Sequence, residues 1–173
     1  IVPVSQQDLL YRRALESLSR QSVRPARVLV SYDESVGLSD GLAETVGRLS
    51  DVLGMELVCN RSAQSLSGAV NSALAMVPED GDPFVAVLDD DDFWDTRYLQ
   101  NCLKFAEDVA CDMVVSGLIR HDAEHPDGFR QPIPHSISIH DFLVGNPGVQ
   151  GSNLFVRASR LRSAGGFSES LVS

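Results

Sequence analysis

Apolar residues along this chain alternate between short continuous runs and helical stripes, so that β and α signals take turns from end to end. Ile1–Val4, Arg27–Tyr32, Met55–Cys59, Phe84–Leu88 and Met113–Ile119 read as strands, and Leu154–Val156 predicts another. Between them, Leu10, Tyr11, Ala14, Leu15 and Leu18 form one helical stripe, and Leu42, Val46, Leu49 and Leu53 a second. From Gln64 to Val77, six apolar residues recur at i, i+3, i+4, i+7, i+8 and i+11. A further helix over Thr96–Val109 packs through Leu99, Cys102, Leu103 and Ala106. Ser5 is a candidate cap for the first helix, with Asp8 favourable near its start. This alternation predicts an α/β fold layered around a mostly parallel sheet.

The regularity stops near residue 120. Residues 121–136 read as a loop rich in Pro and His, and Ser138–Val144 as a short helix. Residues 145–153 (GNPGVQGSN) form a second loop, a candidate for closing over a ligand or simply a connection. Ala158–Ala164 predicts the last helix, with Gly165 or Gly166 as its left-handed cap.

Three polar clusters, Pro3–Ser5, Asp33–Ser35 and Asp89–Asp92, fall directly after predicted strands. In a parallel sheet those ends share one rim, where α/β folds bind ligands. The last cluster carries the strongest chemical signal. Four consecutive carboxylates, Asp89, Asp90, Asp91 and Asp92, end an apolar run and precede Phe93–Trp94. Such charges repel and raise one another's pKa unless a cation or hydrogen-bond donors intervene. A hard divalent ion, Mg²⁺ or Mn²⁺, is the simplest compensation, and it typically accompanies a phosphate-bearing substrate. A solvated acidic turn capping the next helix is the plainer alternative, but it would waste the two aromatics.

Composition narrows the classes. The 173 residues fit one domain, and 43% hydrophobic with 22% charged content describes a soluble globular chain. A formal net charge of −10 argues against nucleic acid, which requires a basic footprint. Cys59, Cys102 and Cys111 are unpaired in spacing and odd in number, which suits a reducing, cytoplasmic setting. No apolar run reaches membrane-spanning length. The opening Ile1-Val2-Pro3-Val4 lacks an initiator Met, and a piece of a longer chain is expected.

Several motifs carry little weight. His121-Asp122-Ala123-Glu124-His125 matches a zinc-peptidase pattern, yet that chemistry needs a helix and the pattern runs into Pro126-Asp127-Gly128. Asn60-Arg61-Ser62 fits a glycosylation sequon with no other sign of secretion. His135 and His140 read as loop histidines rather than acceptor contacts.

An ordered series of segments resembles one family. IVPVSQQDLLYRRALESLSRQ is similar to an opening strand and a helix ending in Ser-Leu-x-x-Gln; VLVSYDES resembles a second strand with its acidic-x-Ser turn. SLSGAVNSAL resembles a helix start that usually reads Ala-Arg-Asn, LDDDDFW an Asp-x-Asp motif, and RLRSAGGFSESL a Gly-Gly-Phe-Asp-Glu segment. Together they resemble the GT-A glycosyltransferases of the large inverting family 2. The resemblance implies a Rossmann-like α/β/α sandwich over residues 1–173 as a catalytic core. It implies transfer of a sugar from a UDP-, GDP- or dTDP-sugar to an acceptor hydroxyl, as in polysaccharide biosynthesis, with Mn²⁺ or Mg²⁺.

Carried onto this chain, the resemblance has Pro3, Val4 and Ser5 line the base pocket and Asp33, with Glu34 beside it, contact the base. Asp89 takes the ribose, Asp90 and Asn71 assist donor binding, and Asp91, joined by Asp89, holds the metal. Trp94 is a candidate acceptor platform, or else a lid packed over the acidic cluster. Departures matter too. Val70 stands where the family commonly has Arg, with Arg61 a candidate substitute, and Ser168 replaces an Asp. The catalytic base usually follows the last segment, so it is expected beyond Ser173, Glu169 being the nearest candidate within. Two alternatives stay open: a metal-dependent nucleotidyltransferase, which would need a glycine-rich basic loop that Val4-Ser5-Gln6-Gln7 lacks, and a non-catalytic binding or regulatory domain.

Overall fold

A computed structural model describes residues 1–5, 11–131, 134 and 136–170. The expected start of the first helix at Asp8 and Leu10, and His135, lie outside the described residues. Among the described residues there are eight strands and six α-helices, and strand and helix alternate from residue 2 to residue 115 as the apolar pattern predicts. The strands are β1 (Val2–Val4), β2 (Val28–Asp33), β3 (Met55–Asn60), β4 (Phe84–Ala86), β5 (Met113–Val115), β6 (Leu118–Arg120), β7 (Phe129–Gln131) and β8 (Leu154–Arg157). The helices are α1 (Tyr11–Ser19), α2 (Asp40–Leu53), α3 (Leu66–Leu74), α4 (Tyr98–Val109), α5 (Ile139–Val144) and α6 (Ala158–Ser163).

β1, β2 and β3 form a parallel sheet in that order, with Val4 opposite Tyr32 and Asp33 opposite Asn60. β4 and β5 each pair antiparallel with β8, so they run in one direction and β8 alone opposes them. Two backbone bonds, Ile1 N–H to Ala86 O at 2.8 Å and Leu88 N–H to Ile1 O at 3.0 Å, join the two sheets in a parallel pattern. The ends of β3, β2, β1 and β4 therefore come to one rim.

Alternation along the strands sends side chains to two cores. Val28 and Val30 of β2 pack with Leu15, Leu42, Leu49, Leu88 and Trp94 beneath α1, α2 and α4. Leu29 packs with Val58 and Ala73 of α3, while Val85, Val156 and Leu161 meet Leu74 on the same side, under α3 and α6. Helices thus cover both faces, as sheets buried on both sides require.

Two boundaries differ from the sequence reading. The apolar run Met113–Ile119 is two strands, because β5 stays on β8 while β6 leaves to pair with β7 as a separate ribbon. The break falls at Ser116, whose N–H and carbonyl are both taken by Asn153, at 3.0 Å each. α3 ends at Leu74 rather than Val77; Met76 and Val77 continue as a turn, and Val77 keeps its apolar contact from outside the helix. The Ser5 hydroxyl donates to Asp90 at 2.8 Å, and the amides it was expected to cap lie outside the described residues.

Candidate functional site

The rim at the ends of β1 to β4 gathers the acidic cluster. β4 is followed by Val87 and Leu88, both fully buried, so the chain leaves the core only at Asp89. The Asp92 N–H bonds back to the Asp89 carbonyl at 3.1 Å, closing the quartet into a tight turn. The four carboxylates then meet different surroundings. Asp90 accepts from Ser5 N–H at 2.7 Å and from its hydroxyl at 2.8 Å, tying the end of β1 to the end of β4. Asp91 is exposed and Asp92 half-buried.

Asp89 is the unusual member. Its Oδ1 is buried without a hydrogen-bond partner among the described residues. Burial first, then the charge of Asp92, pushes its carboxyl up to about 6, with Ser152 partly offsetting. Asp91 is raised as well, by burial and then by Asp92. The wall against Asp89 comes from the loop before β8. A Cβ on Gly151 would sit 2.8 Å from Asp89 Oδ1, so only glycine admits the carboxylate there. Ser152 Oγ accepts from the Asp89 N–H at 2.9 Å, and the Ser152 carbonyl accepts from Trp94 Nε1 at 2.7 Å. Gly151 and Ser152 are site residues that the sequence did not single out beyond a glycine-rich stretch.

That loop is pinned rather than poised to swing. Asn146 Oδ1 accepts from Gly148 and Val149 N–H, and Asn153, fully buried, donates to Ser116 and Gly148 carbonyls. Residues 145–153 thus form the wall against Asp89 through Gly151 and Ser152.

At the other end of the rim, buried Asn60 donates to Asp33 Oδ1 at 2.5 Å and to the Ala63 carbonyl at 2.9 Å. Its Oδ1 accepts from Ser62 N–H and Ser72 Oγ. A carboxamide so engaged is no glycosylation acceptor; it is the post that sets Asp33 and the 60–63 loop. Glu34 and Arg61 face each other at 3.4 Å across a polar cleft of about 200 Å³. Pro3 and Val4 are buried and held in register with Ser31 and Tyr32.

Three expected site residues serve elsewhere. Trp94 is 8% exposed, stacked on Tyr98 with ring centroids 4.3 Å apart, so its indole packs as a lid beneath the acidic turn and offers no face to an acceptor sugar. Phe93 points out instead, under the Arg13 guanidinium at 3.7 Å. Asn71 spends its carboxamide on the 167–169 segment, donating to the Phe167 carbonyl and Glu169 Oε1, both at 2.8 Å, and accepting from Phe167 N–H at 2.9 Å. Glu169 also accepts from Ser62 Oγ and Ala63 N–H. Those donors, Asn71 foremost, hold its carboxyl below the usual range, which suits a clasp and disfavours a proton acceptor. Val70 is fully buried, so α3 offers no cation at that position.

Residues 121–128 form the turn between β6 and β7, with His121 Nδ1 against the Pro126 carbonyl and His125 Nδ1 against Asp122. Cys59, Cys102 and Cys111 are free thiols. No helix among the described residues is long and apolar enough to cross a membrane.

Known structures share this architecture. S. aureus TarS 1-349 in complex with UDP superposes with a TM-score of 0.75 at 18% identity, over 100% of this chain and 50% of that one. The mannosyltransferase PcManGT from Pyrobaculum calidifontis, in complex with GDP-Man and Mn²⁺, gives 0.66 at 20% identity, over 98% of this chain and 47% of its own. TarS 1-349 in complex with UDP-GlcNAc gives 0.69 at 16% identity, over 96% and 46%. At such identities the likeness shows the fold, which is GT-A, and this chain spans about half the length of those structures. No curated protein matches by sequence. The family profile described as Glycosyl transferase family 2 matches residues 1–161, nearly the whole chain. On that match, and on a rim built as the motif order requires, the chain belongs to glycosyl transferase family 2.

Proposed function

We propose that this chain is the donor-binding core of a glycosyltransferase that moves a sugar from a nucleoside-diphosphate donor to an acceptor hydroxyl, with inversion and with Mn²⁺ or Mg²⁺. The observation that carries the reading is the buried Oδ1 of Asp89, without a partner among the described residues and set beside Asp91 and Asp92 at the ends of the strands. A buried carboxylate oxygen without a donor costs free energy that a cation or a ligand hydroxyl would recover.

The residues present fit a shared ion rather than a caged one. Among the described residues no group of three or more His, Cys, Asp or Glu side chains could hold a metal by itself. Mg²⁺-like ions are commonly held by one or two carboxylates and completed by substrate phosphates, and Asp89 and Asp91 supply that pair. A bound ion of this kind supplies Lewis-acid stabilisation of charge on the departing diphosphate. The chain's own groups do the rest. Asp33, set by Asn60, accepts from the base, and the Ser5–Asp90 bonds hold β1 and β4 at a fixed separation beneath the donor. Because Glu169 is tied by its donors, the reading places the catalytic base outside the described residues.

A thermal-shift panel of nucleoside diphosphates with and without Mn²⁺ tests this on the full-length protein. At least one diphosphate should stabilise the fold, and Mn²⁺ should enlarge the shift in wild type and not in Asp91→Ala. Silence across the whole panel would favour a domain that binds a partner without turnover.

A further inference from the structure

One buried residue, Ser152, is bonded to both ends of the acidic turn. β4 pairs with β8 only as far as Ala86 opposite Phe155, so the ladder ends before Asp89. Where it ends, the loop before β8 takes over. The Ser152 hydroxyl accepts from the Asp89 N–H at 2.9 Å, and the Ser152 carbonyl accepts from Trp94 Nε1 at 2.7 Å. Between those two points the turn closes on itself, Asp92 N–H donating to the Asp89 carbonyl at 3.1 Å. Both peptide groups flanking the Asp89 Cα are therefore held, and the side chain leaves that Cα against Gly151.

Stability alone does not call for this arrangement. The loop is held without the Ser152 hydroxyl, because Asn153 donates to the Ser116 and Gly148 carbonyls and accepts from Gln150 N–H. Trp94 is likewise seated without it: the indole stacks on Tyr98, and the backbone N–H donates to Ser17 Oγ at 3.3 Å. What the hydroxyl adds is a constraint on one amide, that of the first aspartate. Groups that orient a metal-binding side chain act in this way, fixing the ligand without touching the ion.

Resting on the cation and diphosphate of the proposed function, we propose that Ser152 is a positioning residue, anchored by Trp94, that staples the two ends of the aspartate turn and presets Asp89 relative to Asp91 for the ion. Ser152 itself stays off the ion and acts through the Asp89 amide. Without the hydroxyl that amide is released, and the carboxylate has to be ordered at the moment of binding. The cost falls on the cation, because the diphosphate meets the same rim with or without the staple.

Electron paramagnetic resonance of free Mn²⁺ in the presence of UDP or GDP reads the staple on the full-length protein. Wild type should take up Mn²⁺ with at least one of the two diphosphates. Ser152→Ala should weaken Mn²⁺ about tenfold, while calorimetry without metal finds the same diphosphate bound within about twofold of wild type. Trp94 is the only tryptophan, and its emission maximum should not move in Ser152→Ala, because the carbonyl it donates to remains. Trp94→Phe keeps an aromatic ring on Tyr98 and loses the N–H. It should weaken Mn²⁺ in the same sense, and it tests the staple from the other end should Ser152→Ala not fold. Wild-type Mn²⁺ affinity in either folded variant overturns the positioning role and leaves the proposed function standing. So does an Mn²⁺ loss in Ser152→Ala matched by an equal loss of metal-free diphosphate or by a red shift of Trp94, since either marks general loosening. Wild type that takes up no Mn²⁺ with either diphosphate overturns both.

Discussion

Asp89→Asn is expected to make the metal-free protein more stable while lowering donor turnover by about 100-fold or more. The opposite signs follow from one side chain. The folded protein holds the Asp89 carboxyl at about 6, above the ordinary value of 3.8. A raised acid binds its proton more tightly in the folded state, so stability is highest below the unfolded value and falls as pH rises through about 4 to 6. At pH 7.5 the penalty from this group is about 2–3 kcal/mol, taken from a shift of roughly two units. The amide carries no charge, so it escapes that penalty, but it cannot serve as an anionic ligand. Denaturant melts of wild type and variant at pH 5 and pH 7.5 check the first half, and the difference between the proteins isolates Asp89 from carboxylates such as Asp82 and Asp141, which are shifted the other way. The gap between the two melts should shrink at pH 5 to about half its size at pH 7.5, and close only below about pH 4. Mn²⁺ with a nucleoside diphosphate should recover stability in wild type at pH 7.5 and not in the variant. A variant that is less stable than wild type at pH 7.5, or one that turns over donor normally, refutes the assignment of Asp89 as an anionic ligand.

Much of the fold was legible because periodicity records burial. Leu42, Val46, Leu49 and Leu53 face a single core, and their spacing says so without further help. The misreadings came where apolar residues are not periodic for one element. Met113–Ile119 is apolar throughout, and nothing local marks Ser116 as the point where Asn153 captures the backbone from 37 residues away. β7 escaped notice because the β6–β7 ribbon has no buried face, and Ile119 and Phe129 stay exposed. Val77 kept helical phase while lying beyond the helix, since the turn after Leu74 returns it to the same apolar neighbours.

The site was legible in its charges and illegible in its partners. Four adjacent aspartates after a buried run announce themselves, and the parallel order brings Ser5 against Asp90 and Asp33 to the same rim. Gly151 and Ser152 could not be seen, because their approach to Asp89 depends on β8 inserting next to β4, a pairing that local sequence does not encode. Trp94 illustrates the converse. An aromatic beside carboxylates suits a sugar platform or a packed lid equally well on paper, and burial against Tyr98 decides for the lid. Polar residues such as Asn71 pose the hardest case, since a carboxamide that grips a ligand and one that grips distant backbone look alike in sequence.

That clasp supplies the other large effect. Gly166 is in the left-handed region, at φ 74°, and a Cβ there would lie 2.5 Å from Asn71 Oδ1. Gly166→Ala therefore incurs about 1 kcal/mol of backbone strain and displaces the carboxamide from both Phe167 bonds, for a total near 3 kcal/mol. Asn71→Ala loses those two bonds and the bond to Glu169 without the strain, about 3 kcal/mol, or roughly 6–12 °C in Tm for a chain of this size. The pair should not add. With alanine at 71 there is no oxygen for the new Cβ to meet, so the double variant should stand about 4 kcal/mol below wild type rather than about 6. Equilibrium unfolding of the two single variants and the double closes that cycle. Additive losses would mean that Gly166 answers to some other neighbour, and a neutral Gly166→Ala would mean that the Gly-Gly-Phe segment does not lock onto α3 at all. The coupled outcome instead explains why two consecutive glycines end α6: Gly165 turns the chain and Gly166 makes room for Asn71, so that Glu169 arrives at Ser62 and Ala63 and braces the loop that carries Arg61.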